Sequence, residues 1–344
     1  MIDNLAHRLL GLTAAAAIAA GAWLAGAPGA WTAAEAKELK LAHFMSPKHP
    51  MHRFLMAPMV EDLAAVSGGK LTIKIYPAGA LGKGPREQYN RVVDGIADIV
   101  FGIPGYTSPQ FPRTLIAELP DIAQNPQDIT QRMWKAYPQY LKDDFKDVKV
   151  LALWTNERTI LIMREKAVHK LEDLAGLKIR APSKLAAGLL SAWGAVPQTM
   201  PVTKVYTSLQ TGVIDGVFIG SSAILSFKLA EVGKYFTTNL PPTYTTFYLL
   251  MNRSSWEGLS AAEQAMLEQV SGQGASLKAA AAYGKAGKAG IEVARKAGRT
   301  IIALSAAERK RFAEAAKPAV AAALDAREGK GIPAKAILAT LKSE

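Results

Sequence analysis

A chain of 344 residues is long enough for two domains, and its formal net charge of +12 raises the question of nucleic-acid binding. The Lys and Arg residues are scattered, however, and no run of them interleaves with aromatic residues. This pattern favours a solvated basic surface and argues against a nucleic-acid partner. The chain contains no cysteine, which excludes disulfides, thiolate metal sites and cysteine catalysis.

The first 36 residues have the pattern of a secretory signal peptide. Arg8 supplies a positive charge, residues 9–24 form a continuous apolar run, and the Ala-Glu-Ala sequence at 34–36 fits the small-x-small cleavage pattern. The alternative is an uncleaved membrane anchor, but the apolar run is short for a membrane span. We therefore expect cleavage after Ala36, export to the periplasm, and a mature chain that is not embedded in the membrane.

Strands and helices alternate in the next part of the chain. Strands are predicted over 38–43, 70–76 and 97–102, and helices over 51–66 and 86–94. This order predicts a mainly parallel sheet with helices on both faces, and therefore an α/β protein.

A partial repeat indicates a second lobe of similar design. Residues 95–102 read GIADIVFG, residues 212–220 read GVIDGVFIG, and each segment follows a predicted helix. Chance similarity is the alternative explanation. A helix at 128–145 and strands at 148–154 and 158–163 should cross from the first lobe to the second, and a strand at 245–252 should return.

The predicted domains follow from these two crossings. The first lobe comprises 37–158 plus 245–344, including long C-terminal helices, and the second lobe comprises 159–244. In the C-terminal part, Ser260 and Ser305 each begin a capping-box pattern, and glycines at 284, 287 and 290 should weaken their helix.

Arg180 is the strongest candidate for a binding residue. It ends a short strand predicted at 177–180, and α/β sheets bind ligands in the crevice outside the carboxyl ends of their strands. A guanidinium there can hold a carboxylate through two parallel hydrogen bonds. The alternative is a structural ion pair with Asp173 or Asp215.

Other candidates lie at or near the ends of predicted strands. Arg158 precedes an apolar strand and is a candidate second cation, with a solvent-facing position as the alternative. Trp154, Tyr106 and Phe44 follow strands and are candidates to line a crevice. Phe218 is a further candidate. For each aromatic residue, ordinary core packing is the alternative.

Motifs for catalysis, metals and cofactors are not apparent. His49 and His52 lie three residues apart without a third ligand, so we expect them at the surface. The glycine-rich segment 79–84 lacks the spacing of a phosphate-binding loop. Neither H-E-x-x-H nor G-x-S-x-G occurs. We therefore expect a non-enzymatic protein with no cofactor and no metal.

Three stretches resemble the periplasmic solute-binding subunits of tripartite ATP-independent periplasmic (TRAP) transporters, the DctP family. They are KLTIKIYPAGALG at 70–82, LEDLAGLKIRAP at 171–182 and GAVPQTMPVTKVYTSLQTGVIDG at 194–216. The resemblance implies a two-lobed periplasmic binding protein of class II type, with a ligand cleft between the lobes. It also implies an organic acid held by Arg180 and delivered to membrane permease subunits. Delivery to a sensory receptor is the alternative.

Departures from the family pattern bear on the ligand. Lys204 stands where a Glu is usual, and Ile219 stands where many binders of sugar acids and dicarboxylates have an Asn. A second cleft arginine is common where the simple register places Ile160, and Arg158 lies two residues earlier. A cleft with Phe218, Ile219 and Trp154 suggests a monocarboxylate with a partly apolar body.

Overall fold

The computed structural model describes residues 36–82 and 84–343. The predicted signal peptide, apart from Ala36 at its end, lies outside the described residues. Within the described ranges, no helix combines the length and the apolar character needed to cross a membrane.

The described residues form eleven strands in two sheets. In chain order the strands are β1 (Lys37–Ala42), β2 (Leu71–Tyr76), β3 (Ile99–Gly102), β4 (Val148–Thr155), β5 (Thr159–Met163), β6 (Lys178–Ala181), β7 (Val196–Thr199), β8 (Gly216–Gly220), β9 (Tyr235–Thr238), β10 (Thr246–Asn252) and β11 (Thr300–Ala303). The first sheet has the order β2-β1-β3-β10-β4, and the second has the order β11-β9-β5-β8-β6-β7.

Both sheets are mixed. In the first sheet β1 runs parallel to β2 and β3, as expected for a β-α-β-α-β unit, and the returning strand β10 runs antiparallel to β3 and β4. In the second sheet β6 runs parallel to β7 and β8, while β5 runs antiparallel to β8 and β9. The α/β class predicted from the sequence is confirmed.

Helices cover the sheets. They are α1 (Ala57–Val66), α2 (Gln88–Val93), α3 (Pro126–Ala136), α4 (Lys184–Ala192), α5 (Val205–Gln210), α6 (Ala223–Ser226), α7 (Leu229–Val232), α8 (Arg253–Glu257), α9 (Ala261–Gln269), α10 (Gly272–Lys296), α11 (Ala306–Glu328) and α12 (Ala334–Lys342). A π-helical turn, His52–Met56, precedes α1. The helix predicted over 128–145 ends earlier, at Ala136, and continues as π-helical and 3-10 turns to Phe145.

Three chain segments connect the sheets. The first runs from β4 to β5 through residues 156–158, and the second runs from β9 to β10 through residues 239–245. The third runs from β10 to β11 through residues 253–299 and contains α8, α9 and α10, while the first two are hydrogen-bonded to each other. The Asn156 N–H donates to the Thr245 carbonyl at 3.1 Å, and the Thr159 N–H donates to the Thr243 carbonyl at 3.0 Å. The predicted lobe boundaries stay a prediction. The strand β11, within the C-terminal part, pairs with β9 of the second sheet.

The long helix α10 packs closely on the segment that follows β8. A Cβ added at Gly290 would lie 2.2 Å from the Ser221 carbonyl oxygen, and one added at Gly287 would lie 2.6 Å from Glu157 Cγ. These glycines were expected only to weaken the helix. Their small size has a packing reason, since any side chain would push the helix away from residues 221–224.

The two predicted capping boxes differ in the structure. Ser260 and Glu263 form a complete box at the start of α9. Ser305 caps α11 by accepting from the Glu308 N–H, but the Glu308 carboxylate accepts from the Leu171 N–H at 3.1 Å instead of completing the box. Here a contact between distant parts of the chain replaces the local one.

Candidate functional site

A partly open cavity lies where strand ends of both sheets meet two of the connecting segments. Its volume, measured as the space open to the centre of a water-sized sphere, is about 50 Å³. A single water needs about 10–15 Å³ on this measure, so the cavity accepts a small ligand. Its lining includes Phe44, Met45, His49, Ile103, Tyr106, Asn156, Arg180, Pro182, Val202, Ile219, Gly220, Ser222, Ala223, Phe227, Thr245, Phe247 and Tyr283.

Arg180 reaches this cavity from β6, and its side chain is almost fully buried, with 2% exposed. Its Nε donates to the Met200 carbonyl at 2.9 Å, and its Nη2 donates to the Tyr106 hydroxyl at 3.3 Å. A guanidinium has five N–H donors. Most of them therefore make no hydrogen bond to the described residues.

No carboxylate of the described residues pairs with Arg180, so the alternative of a structural ion pair is not realised. The Asp215 carboxylate accepts from the Lys178 N–H at 2.7 Å, and the Asp173 carboxylate accepts from the backbone at 169 and 170. Burial lowers the pKa of the Arg180 guanidinium, and the nearby Tyr106 opposes that shift. The side chain is still a cation at neutral pH, and a buried cation without an anion is unfavourable.

Tyr106 adds a donor beside the guanidinium. Its hydroxyl oxygen accepts from the Val202 N–H at 2.8 Å and from Arg180 Nη2. A hydroxyl accepts two hydrogen bonds and donates one. With both acceptor positions used, its own hydrogen is available to a ligand in the cavity.

Asn156 also lines the cavity, although no sequence pattern indicated it. Its Oδ1 accepts from the Thr245 N–H at 2.7 Å, which fixes the orientation of the amide and leaves Nδ2 as a donor. Nδ2 makes no hydrogen bond to the described residues. A Cβ added at Gly220 would lie 2.2 Å from this nitrogen, so the glycine permits the close approach.

The remaining wall is mostly apolar. Phe44 and Ile219, both predicted to line the cleft, contribute to it together with Phe247 and Val202. The strand β8 places Ile219 on the cavity side, because successive side chains alternate between the two faces of a sheet. Its neighbour Phe218 consequently points to the other face.

The structure does not bring three of the predicted residues to the cavity. Phe218 packs edge-on against Trp193 at 5.6 Å between ring centroids. Trp154 is fully buried and stacks on Phe247 at 5.9 Å, so it supports a lining residue from behind. Arg158 lines a different recess, where its Nη2 donates to the Gln124 carbonyl at 2.6 Å.

The expected surface position is wrong for His49, which is 6% exposed and lines the cavity. His43 is also buried, and its Nε2 lies 2.9 Å from Nδ1 of the part-buried His52. Burial lowers the pKa of His43 to about 4 and that of His49 to about 3, and nearby histidines add to both shifts. Both rings are therefore neutral at pH 7. Among the described residues no group of three or more candidate ligands is arranged to hold a metal ion.

Comparison with known proteins places this geometry in a family context. The family described as "Bacterial extracellular solute-binding protein, family 7", DctP, matches residues 41–326. A C4-dicarboxylate-binding periplasmic protein, DctP, from Rhodobacter capsulatus is 27% identical over 240 residues, which cover 69% of this chain and 71% of the relative.

Two solved structures share the fold over most of the chain. A TRAP solute-binding protein from Rhodoferax ferrireducens, in complex with copurified benzoate, has a TM-score of 0.86 and 28% identity, covering 89% of this chain and 96% of the other. A marine metagenome TRAP solute-binding protein specific for aromatic acids, in complex with 3-hydroxybenzoate, has a TM-score of 0.87 and 28% identity, covering 90% and 97%.

Proposed function

Because this chain belongs to the bacterial extracellular solute-binding proteins of family 7, we propose that it is the binding subunit of a TRAP transporter for an aromatic or otherwise partly apolar monocarboxylate. The family consists of solute-binding proteins and not of enzymes. In the proposed role the protein works in the periplasm after removal of its signal peptide, and it delivers the acid to membrane permease subunits.

The observation that carries the proposal is the buried guanidinium of Arg180, which faces the cavity without an anionic partner among the described residues. A carboxylate supplies the missing negative charge, and charge-assisted hydrogen bonds of this kind are among the strongest in proteins. The Tyr106 hydroxyl and Asn156 Nδ2 are further donors in the same cavity. Together these groups provide a polar end to which a carboxylate binds.

The rest of the lining supports a monocarboxylate over a dicarboxylate. Arg180 is the sole Lys or Arg among the described residues that line the cavity. A second carboxylate would therefore be buried in the cavity without a cation to pair with, and burying an unpaired charge is costly. Apolar side chains instead favour a hydrocarbon or aromatic body.

Contacts around Arg180 also support closure on the ligand. Tyr106 follows β3 of the first sheet, while Arg180 and Val202 belong to the part of the chain that holds the second sheet. These hydrogen bonds join the two parts across the cavity. In our proposal the connecting segments at 156–158 and 239–245 act as the hinge, and the ligand stabilises the closed arrangement by binding both sides.

A thermal-shift screen of organic acids tests the proposed ligand class. We expect benzoate or mandelate to stabilise the purified mature protein, since a ligand at 100 times its dissociation constant adds about 2.7 kcal/mol to the free energy of unfolding. Succinate and glucuronate serve as dicarboxylate and sugar-acid controls. Stabilisation by those controls alone would contradict the proposal. A separate measurement, uptake of the acid by cells that carry the protein and its cognate permease, distinguishes transport from delivery to a sensory receptor.

Replacement of Arg158 by alanine tests the idea of a second cation. Because Arg158 bonds to Gln124 and lines a different recess, Arg158→Ala should change the affinity for the acid by less than about threefold. Isothermal titration calorimetry measures this directly. A loss of tenfold or more would place Arg158 in contact with the ligand.

A further inference from the structure

His49 stands at the boundary between the cavity and a larger outer space. It lines both, as does Phe227, and the outer space, which we call the vestibule, measures about 720 Å³ on the same scale. Lys48, Arg53 and Lys228 contribute to the lining of the vestibule. If a ligand carries a substituent on the side away from its carboxylate, and that substituent points towards the vestibule, the substituent would therefore contact His49.

The hydrogen-bonding pattern fixes which nitrogen of His49 carries the hydrogen. Nδ1 accepts from the Met51 N–H at 3.2 Å, so it is unprotonated. The ring is neutral at physiological pH because burial lowers its pKa to about 3. A neutral imidazole has one donor and one acceptor, so Nε2 is the donor.

Packing holds the His49 ring in place. Its centroid lies 6.1 Å from that of Tyr283 in an edge-to-face arrangement and 6.0 Å from that of Phe227. The Nε2–H group makes no hydrogen bond to the described residues, although more than nine-tenths of the side chain is buried. A ligand that displaces water from this donor without supplying an acceptor leaves the donor unpaired, so a ligand that supplies an acceptor should bind more tightly than one that does not.

Tyr283 provides a second polar group on the same side. It also lines the cavity, is 3% exposed, and its hydroxyl makes no hydrogen bond to the described residues. A hydroxyl on the ligand can accept from His49 Nε2–H and donate to the Tyr283 oxygen at the same time. An unsubstituted ring can do neither.

We propose that His49 is a specificity-determining residue, and that the preferred ligands are aromatic monocarboxylates with a hydroxyl group on the ring away from the carboxylate. This proposal rests on the proposed function and deepens it. Arg180 binds the acid group, and His49 with Tyr283 recognises the ring hydroxyl. The two ends of the ligand are thus recognised by different parts of the cavity.

The test is a comparison of ligands across variants by calorimetry. Wild-type protein should bind 3-hydroxybenzoate or 4-hydroxybenzoate about tenfold more tightly than benzoate, the effect of one neutral hydrogen bond at the upper end of its usual range. In His49→Phe the ratio of the hydroxybenzoate affinity to the benzoate affinity should fall to about one, and this ratio is the readout whatever the change in the benzoate affinity itself. In His49→Gln, which keeps an N–H donor, the preference should be retained in part. His52→Phe is the matched control, because His52 is not among the described residues that line the cavity.

A spectroscopic measurement does not depend on the variants. The Nε2–H proton of His49 should shift downfield when the hydroxybenzoate binds and much less when benzoate binds, as seen in ¹H–¹⁵N spectra. Equal affinity for benzoate and both hydroxybenzoates, or a preference that persists in His49→Phe, would overturn the role of His49 and leave the proposed function intact. Failure of every aromatic acid to bind would overturn both.

Discussion

Replacing Arg180 with alanine should lower the affinity for the organic acid by at least about a hundredfold. Losing one partner of a buried, hydrogen-bonded charge pair costs about 2–5 kcal/mol, and 2.7 kcal/mol corresponds to a hundredfold change. The bound carboxylate would keep the Tyr106 and Asn156 donors but lose its cation. Titration calorimetry with the best acid from the thermal-shift screen gives the affinity of each variant.

Two controls separate binding from folding in the Arg180 experiment. Arg158→Ala makes the same chemical change outside the cavity and should keep full affinity. Arg180→Lys keeps the charge but loses the planar pair of donors, so its affinity should fall between those of wild type and Arg180→Ala. Without ligand, Arg180→Ala should unfold at a temperature no lower than wild type, since the guanidinium has no anionic partner among the described residues. Unchanged ligand affinity in Arg180→Ala would rule out carboxylate binding by this residue.

The position of Arg180 could be predicted because it depends on local pattern. A short strand ending on a cation, followed by a helix, identifies a strand end at which ligands bind. In the structure β6 spans Lys178–Ala181, close to the predicted strand at 177–180, and Arg180 lines the cavity. The sequence could not decide between a ligand and an internal carboxylate, because it does not show that Asp173 and Asp215 bind backbone N–H groups instead of Arg180.

Other cavity residues depend on contacts between distant parts of the chain. Asn156 is oriented by a hydrogen bond from Thr245, 89 residues later. His49 is buried partly because Tyr283, from α10, packs against it. No local periodicity signals either contact. The strands β9 and β11 were also missed, and the strands with which they pair are likewise distant in the sequence.

Alternation along β8 explains why only one of two predicted neighbours lines the cavity. The sequence shows that Phe218 and Ile219 lie on opposite faces of a strand. It does not show which face meets the cavity, since both residues are apolar and both are buried. Only the packing of Phe218 on Trp193 decides this, and that contact depends on the position of α4.

Ionisation of Glu157 should lower the free energy of unfolding as the pH rises from about 4.5 to about 7. Glu157 lies in the segment that connects β4 to β5 and is 8% exposed. Its Oε1 accepts from the Ser222 N–H at 2.6 Å, and Oε2 has no partner among the described residues. Burial raises the pKa of Glu157 to about 7, although hydrogen bonds from Ser222 and Ser221 oppose the shift.

The direction of this effect follows from proton binding in the two states. The folded protein holds the Glu157 proton up to about pH 7, while the unfolded chain releases it near the ordinary value of 4.5. The stabilisation is therefore complete below pH 4.5 and is lost as the pH rises through 7. The difference between the pKa of about 7 in the folded protein and 4.5 in the unfolded chain corresponds to about 3 kcal/mol of folding stability. His43 and His49 act in the opposite direction, because their lowered pKa values favour the folded state above pH 6.5 and destabilise it in acid.

A variant isolates the contribution of Glu157 from that of the histidines. Denaturant unfolding of wild type and Glu157→Gln between pH 4.5 and pH 8 should show a stability difference that shifts by about 3 kcal/mol in favour of the variant as the pH rises. Glu38→Gln, at an exposed position in β1, should show no comparable shift. A constant difference between wild type and Glu157→Gln would mean that Glu157 ionises at the same pH in both states. In that case an anionic Glu157 must be stabilised by more than the Ser222 and Ser221 hydrogen bonds.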